Sequence, residues 1–227
     1  QAINTVIARQ ESLRTTFYEQ AGQVAQRVNA HTQFDIEIAN VGSIEEARQL
    51  AEQLGQEMFE LATGPLFRFA LYRIADAVHA LCFVVHHIVF DGWSVAVFQQ
   101  ELATAYEAAL SGAESTSPVP SARFADFAAW QRSHIDGPQG EANLAYWREQ
   151  LTGASTALDL PTDHPRPPVQ TFKGDVVRHT LDAEQTASLH ALARRSGTTL
   201  FAVLSAAWAA LLYRYTGADD FLFGTAL

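Results

Sequence analysis

The run "HALCFVVH", residues 79–86, is apolar at consecutive positions rather than at alternate ones. As a strand it needs cover on both faces, the condition of a central strand in a sheet. The run before it, "LFRFALYRI", reads as its neighbour, joined to it around Ala75, Asp76 and Ala77. Helical patterns surround the pair. Ile3, Val6 and Ile7 lie at helical spacing, and Ser43 with Glu46 forms a capping-box pattern ahead of Ile44, Leu50, Leu54 and Met58 on one face. A further helix is expected from Ser94 to about Leu110, with Val95, Phe98, Leu102 and Ala105 inward and Gly112 just past its end. Around Gly22, "TTFYEQAGQVAQRV" reads as a hairpin, and "FDIEIANV" alternates as a half-buried strand does. Strands interleaved with helices give an α/β fold.

Composition narrows what such a fold can serve. The chain has 227 residues, 48% of them hydrophobic and 18% charged, enough for one large core or two modest ones. Its formal net charge of -10 has the wrong sign for lining nucleic-acid phosphates. Cys82 is the single cysteine and sits in an apolar run, so no disulfide framework forms and a reducing cytosol fits. The longest greasy stretch, Leu200 to Tyr213, is shorter than the roughly 20 residues that span a bilayer and reads as a buried helix. No membrane span is expected, which makes a cytoplasmic location the expectation. "DDFLFGTAL" closes the chain as a strand signal with no following partner, and the opening "QAINTVIARQ" already has helical spacing, so the chain reads as a segment of a longer polypeptide.

The second half is organised by proline. A polar loop, "SGAESTSPVPS", precedes helices carrying Phe124, Phe127, Trp130, Leu144, Trp147 and Leu151. Pro161, Pro165, Pro167 and Pro168 then forbid helix and enforce an extended crossing. The expected division is a lobe over 1–160, a crossover over 161–178 and the start of a second lobe over 179–227. In that last part Asp182 and Gln185 cap a helix ending near Gly197.

Chemistry concentrates at the strand-to-helix junction, "VVHHIVFDGW", residues 84–93. If the strand persists through His86 and His87 they face opposite sides, so one is expected to be catalytic and the other packed. Opposite facing also argues against both rings binding one metal ion. Asp91 beside Gly92 favours a turn that exposes backbone N–H groups at the positive end of the following helix. An imidazole there can accept a proton from an attacking amine or hydroxyl. A buried Asp91 would need a cationic partner, for which Arg14 and Arg68 are the candidates.

"HHIVFDG" resembles the H-H-x-x-x-D-G signature of condensation domains of nonribosomal peptide synthetases. "ARQESLRTTF" resembles that family's R-H-E-x-L-R-T-x-F stretch, "FADFAAWQR" its Asp-Phe-x-x-Trp helix, "LPTDHPRPP" its proline-rich crossing, and "LLYRYTGADDFLFGT" the passage into its second lobe. These landmarks arrive in the family's order. The resemblance implies a fold like chloramphenicol acetyltransferase: a lobe with a mixed central sheet flanked by helices, plus the beginning of a second, similar lobe. It implies secondary-metabolite and antibiotic assembly by amide formation between a donor aminoacyl or peptidyl thioester and the amine of an acceptor aminoacyl thioester. Both are presented on the 4'-phosphopantetheine of peptidyl carrier proteins, with an adenylation domain in the same polypeptide and no cofactor or metal bound by the domain itself.

By the same resemblance His87 faces the reaction channel and Gly92 offers its N–H to the oxyanion. His86 supports, Asp91 is a structural ion-pair member with Arg14 as partner, and Trp93 continues the motif. Gln10 stands where the family usually carries histidine. With the opening strand and most of the second lobe missing, residues 1–227 alone are not expected to turn over. Alternatives of the same fold are an epimerisation domain, an ester-forming or coenzyme A-dependent acyltransferase, and a catalytically silent docking platform. "LPTDHPRPP" and "DGWSVAVF" favour condensation, of the subtype joining two L-residues.

Overall fold

The computed structural model describes residues 1–31, 33–113, 120, 122–171 and 174–225, so most of the polar loop expected at 111–121 lies outside the described residues. The chain divides into two compact units, Gln1–Pro138 and Gln139–Leu227.

In the first unit, β1 (Thr15–Gln20) and β2 (Gln23–Val28) form an antiparallel hairpin with Thr15 opposite Val28. Its two-residue turn holds Ala21 at φ 52° and Gly22 at φ 77°, the left-handed pair whose twist matches the flanking strands. A second sheet has the order β3-β4-β5, from β3 (Glu37–Asn40), β4 (Phe67–Ala75) and β5 (Val78–Val85). β3 runs parallel to β4 and β5 antiparallel to it, so this sheet is mixed.

The centre is therefore β4, and the expectation that "HALCFVVH" supplies the central strand is corrected. Consecutive apolar residues report cover on both faces, which β5 has in part: Phe83 and Val85 pack against one cluster and Ala80 and Cys82 against the other, while Leu81 is exposed. Such a run does not report which strand has two hydrogen-bonded neighbours. β4 sends Phe67 and Phe69 to one face and Ala70 and Tyr72 to the other, all buried. The Phe67 face is covered by α1 (Ala2–Arg9) and α3 (Gly92–Ser111), through Val6, Ile7, Phe98 and Ala105. The Tyr72 face is covered by α2 (Ile44–Gln56), through Ala47, Leu50 and Leu54. Met58, expected on that helix face, lies beyond the helix end and is 92% exposed. Burial pushes the Cys82 thiol up, consistent with a packed side chain rather than a reactive one.

An aromatic stack ties α3 to the sheet. Phe83 lies parallel to Phe69 and to Phe98, each at 4.5 Å between ring centroids, and Phe90 meets Phe83 edge-on at 5.3 Å. α4 (Phe124–Ile135) completes the unit.

The second unit holds α5 (Pro138–Gln150), α6 (Ala183–Arg195) and α7 (Leu200–Thr216). Asp182 and Gln185 close both arms of the expected capping box, at 2.7 and 3.2 Å. α7 is not the buried helix its composition suggests: Phe201 and Trp208 are 59% and 52% exposed, and Leu212 is its one buried residue. Its described cover comes from α6, and one helix shields only a narrow stripe of another. Residues 221–225 form no strand, and the second unit has no strand among its described residues for them to pair with. Among the described residues no single helix is long and apolar enough to cross a membrane.

Candidate active site

β5 stops at Val85 and α3 begins at Gly92, so residues 86–91 are the connection between them. The helix starts earlier than the expected Ser94, because Asp91 is its N-cap. Asp91 Oδ1 accepts from the Ser94 N–H at 2.8 Å and from the Ser94 hydroxyl at 2.6 Å. Ser94 Oγ in turn accepts from the Asp91 N–H at 3.3 Å, a reciprocal capping box. The sequence signal was available: an aspartate with a hydroxyl residue three positions on.

The connection is pinned at both ends. The His86 N–H donates to the Leu66 carbonyl at 2.9 Å, and the buried Val89 closes a turn onto the His86 carbonyl at 3.1 Å. Phe90 inserts against Phe83 and Phe98. Val89 and Phe90 thus anchor the segment by apolar burial, while His87 before them and Asp91 after them are exposed.

The two histidines separate, though not by strand alternation, since the strand ends before either. His86 is half-buried, edge-on to Phe59 at 6.0 Å, and its Nδ1 accepts the Ile88 N–H at 3.0 Å, which leaves Nε2 to carry a ring proton. His87 is exposed, and its ring takes no hydrogen bond among the described residues.

His87 lines a cavity of about 340 Å³. The 86–91 connection contributes Ile88 to Asp91, and the short 3-10 turn Glu11–Arg14 contributes Glu11 and Ser12. The hairpin gives Phe17 and Val28, and the start of α4 gives Phe124. This is the size of a small-molecule cleft, mostly apolar with a few convergent polar groups. Glu11 and the aromatic walls were not singled out from sequence, although Glu11 lies in the "ARQESLRTTF" stretch.

Of the predicted residues, His87 and Asp91 share this cavity. Gly92 is the first residue of α3 and exposed, and its N–H has no partner among the described residues, as first-turn N–H groups do. A Cβ placed on Gly92 would meet nothing within 4 Å. Trp93 is 83% exposed and borders a separate small cavity with Gln10 and Leu13.

The ion pair expected between Asp91 and Arg14 or Arg68 is corrected. Arg14 donates to the carbonyls of Ile7, Ala8 and Asn29, tying α1 to the hairpin. Arg68 pairs with Glu57 at 3.2 Å and lies over the Phe59 ring. Asp91 is exposed, so it needs no buried cation, and its charge is met by Ser94. The Ser94 hydroxyl and N–H hold the Asp91 carboxyl below its usual range, with the His87 ring a smaller contributor. Gln10, at the position of the family's histidine, donates to Glu101 Oε1 at 2.9 Å beside Arg9, linking α1 to α3. Among the described residues no group of His, Cys, Asp and Glu has a metal-holding arrangement.

The Condensation domain family model matches residues 1–227. The chondramide synthase of Chondromyces crocatus is 38% identical over 225 residues, covering 96% of this chain and 6% of that protein. Among solved structures, the X-domain from teicoplanin biosynthesis superposes with a TM-score of 0.85 at 30% identity, over 94% of this chain and 48% of that one. The epimerization domain from the third module of tyrocidine synthetase B gives 0.80 at 25% identity, over 96% and 50%. The chain thus spans a small part of the synthase it matches and about half of each solved domain.

Proposed function

The chain belongs to the Condensation domain family, and from that premise we propose that it carries the histidine-bearing part of an enzyme that forms peptide bonds between carrier-bound substrates. The reading is carried by one observation: the exposed His87 lines a cavity of about 340 Å³ beside a capped helix start, while His86 is half-buried against Phe59.

The acceptor's α-amine attacks the carbonyl carbon of the donor thioester. As the C–N bond forms, His87 orients the amine and takes its proton, and charge develops on the carbonyl oxygen. The Gly92 N–H, unpartnered in the first turn of α3, is our candidate donor to that oxygen. Collapse breaks the C–S bond, and the departing sulfur recovers a proton to leave the donor arm as a free thiol. Asp91 acts through the backbone: it caps α3 and so fixes where Gly92 stands. A thioester is already activated, so alignment of two tethered arms supplies much of the rate.

On this reading the substrates arrive on the 4'-phosphopantetheine arms of two peptidyl carrier proteins, an adenylation domain neighbours the chain, and the synthetase is cytoplasmic. Residues 1–160 form the catalytic lobe, 161–178 cross over, and 179–227 open the second lobe. The likeness to an epimerization domain motivates a second reading, inversion of a carrier-bound residue at its α-carbon.

One experiment separates these. The complete two-lobed domain is mixed with donor and acceptor carriers loaded with aminoacyl thioesters, in deuterated water, and products are read by mass. Condensation gives dipeptidyl carrier without deuterium at the α-carbon, whereas inversion gives α-deuterium without dipeptide. His87→Ala is expected to lower dipeptide formation ~10²–10⁴-fold. Equal product from both proteins would defeat the role of His87.

A further inference from the structure

The cavity holds a charge that the condensation step leaves unused. Among the described residues its ionisable lining is Glu11, His87 and Asp91. Asp91 is engaged by Ser94 at 2.6 and 2.8 Å. Glu11 is not so engaged. Its ion pair is with Arg123 at 3.8 Å, too long for a hydrogen bond, and the Arg123 side chain is 67% exposed, so solvent competes for it. The Glu11 backbone is fixed all the same, since its carbonyl accepts the Thr15 hydroxyl at 2.8 Å within the turn that starts β1.

What such a carboxylate does follows from the cavity's other walls. Phe17, Val28, Ile88, Val89, Phe90 and Phe124 are apolar, and among the described residues no arginine or lysine lines the space. A cation entering it loses water and meets the acids as the opposite charges of the described lining, with Ser12, Thr15, Gln26 and Ser94 as neutral polar neighbours. An α-amine, whose pKa is about 7.7–8.0, enters largely as an ammonium at neutral pH. Glu11 stands on the 3-10 turn and His87 on the 86–91 connection, so the two approach the cavity from different segments.

We infer that Glu11 selects the acceptor, by holding its α-ammonium in the cavity until one proton is released to solvent and the free amine attacks, the proton shed as the C–N bond forms then passing to His87. Arg123 competes with that ammonium for the same carboxylate. This inference rests on the condensation reading for the identity of the amine, but its measurement does not require turnover.

The test uses the complete domain and two soluble probes with the same side chain: an α-aminoacyl pantetheine with a non-hydrolysable amide in place of the thioester, and its α-hydroxy counterpart. Calorimetry at neutral pH gives the ratio of their Kd values. The wild-type protein is expected to prefer the amine about tenfold, the scale of one charge-assisted hydrogen bond. Glu11→Gln should bring the ratio to near one, Glu11→Asp should keep part of it, and Arg123→Ala should raise it above wild type. Thermal melts establish that each variant is folded, and Arg123→Ala reads the same charge if Glu11→Gln does not fold. A wild-type ratio near one, or a ratio unmoved in Glu11→Gln, or a ratio that falls in Arg123→Ala, overturns the inference. A preference that follows Glu11 in a domain that makes no dipeptide would sustain it while defeating the condensation reading.

Discussion

His87 and Asp91 stand four residues apart on one connection and use their side chains differently. The imidazole is left open to the cavity, while the carboxylate is turned back onto its own helix. A consequence for acid stability follows from the carboxylate. Because the Ser94 contacts lower its pKa in the folded chain, the cap stabilises fully above the unfolded value of about 3.9 and is lost as pH falls through the lower folded value. Asn also caps helices but carries no charge to lose. Melts of wild type and Asp91→Asn between neutral pH and about pH 3 are therefore expected to differ by a constant amount above the carboxylate range. Below it the wild type loses ground to the variant, and parallel curves throughout would remove the charge from the cap. Asp91→Ala, in turn, should cost only what an exposed cap is worth, with no buried partner left alone.

At the scale of elements, α3 is the part on which the site depends, and its hold on the sheet is aromatic. Phe98, 8% exposed, stacks on Phe83 and Phe69 one layer below the turn that carries His87. Phe98→Ala is expected to destabilise by ~3–5 kcal/mol in chemical denaturation, since it removes a ring from a close-packed stack that cannot collapse fully. The sequence made this helix, the inward Phe98, Leu102 and Ala105 and its glycine stop readable, because period and capping are local properties, whereas Val95, expected inward in the first turn, is 43% exposed. Gly112, at φ 66°, ends it as expected. The hairpin at Gly22 and the Asp182 cap were readable for the same reason. What was not readable is set by neighbours far along the chain. Whether β4 or β5 is central depends on β3 arriving beside β4, and whether Asp91 is buried depends on how the 86–91 turn is anchored. The cavity draws Glu11, Phe17 and Phe124 from three segments that no spacing rule connects.

For the whole molecule the two compact units differ in how they bury apolar surface. Gln1–Pro138 has helices on both faces of a mixed sheet and two interior clusters, one around Phe67 and Phe69 and one around Ala70 and Tyr72. In Gln139–Leu227 the described buried hydrophobics are Ala193 and Leu212, while Trp147, Phe201 and Trp208 are more than half exposed. A unit needs enough buried area to offset the ordering of its backbone, roughly 1–2 kcal/mol per residue. Most of the described buried hydrophobics lie in the first unit, so the condition is expected to be met there and not in the second. Residues 1–138 expressed alone should therefore melt cooperatively, with slow amide exchange in β4, β5 and α3. Residues 139–227 alone should show helical circular dichroism, a broad non-cooperative melt and dye binding to exposed apolar surface. A sharp transition in the second piece, or none in the first, would mean that the core is distributed differently from the division at Pro138.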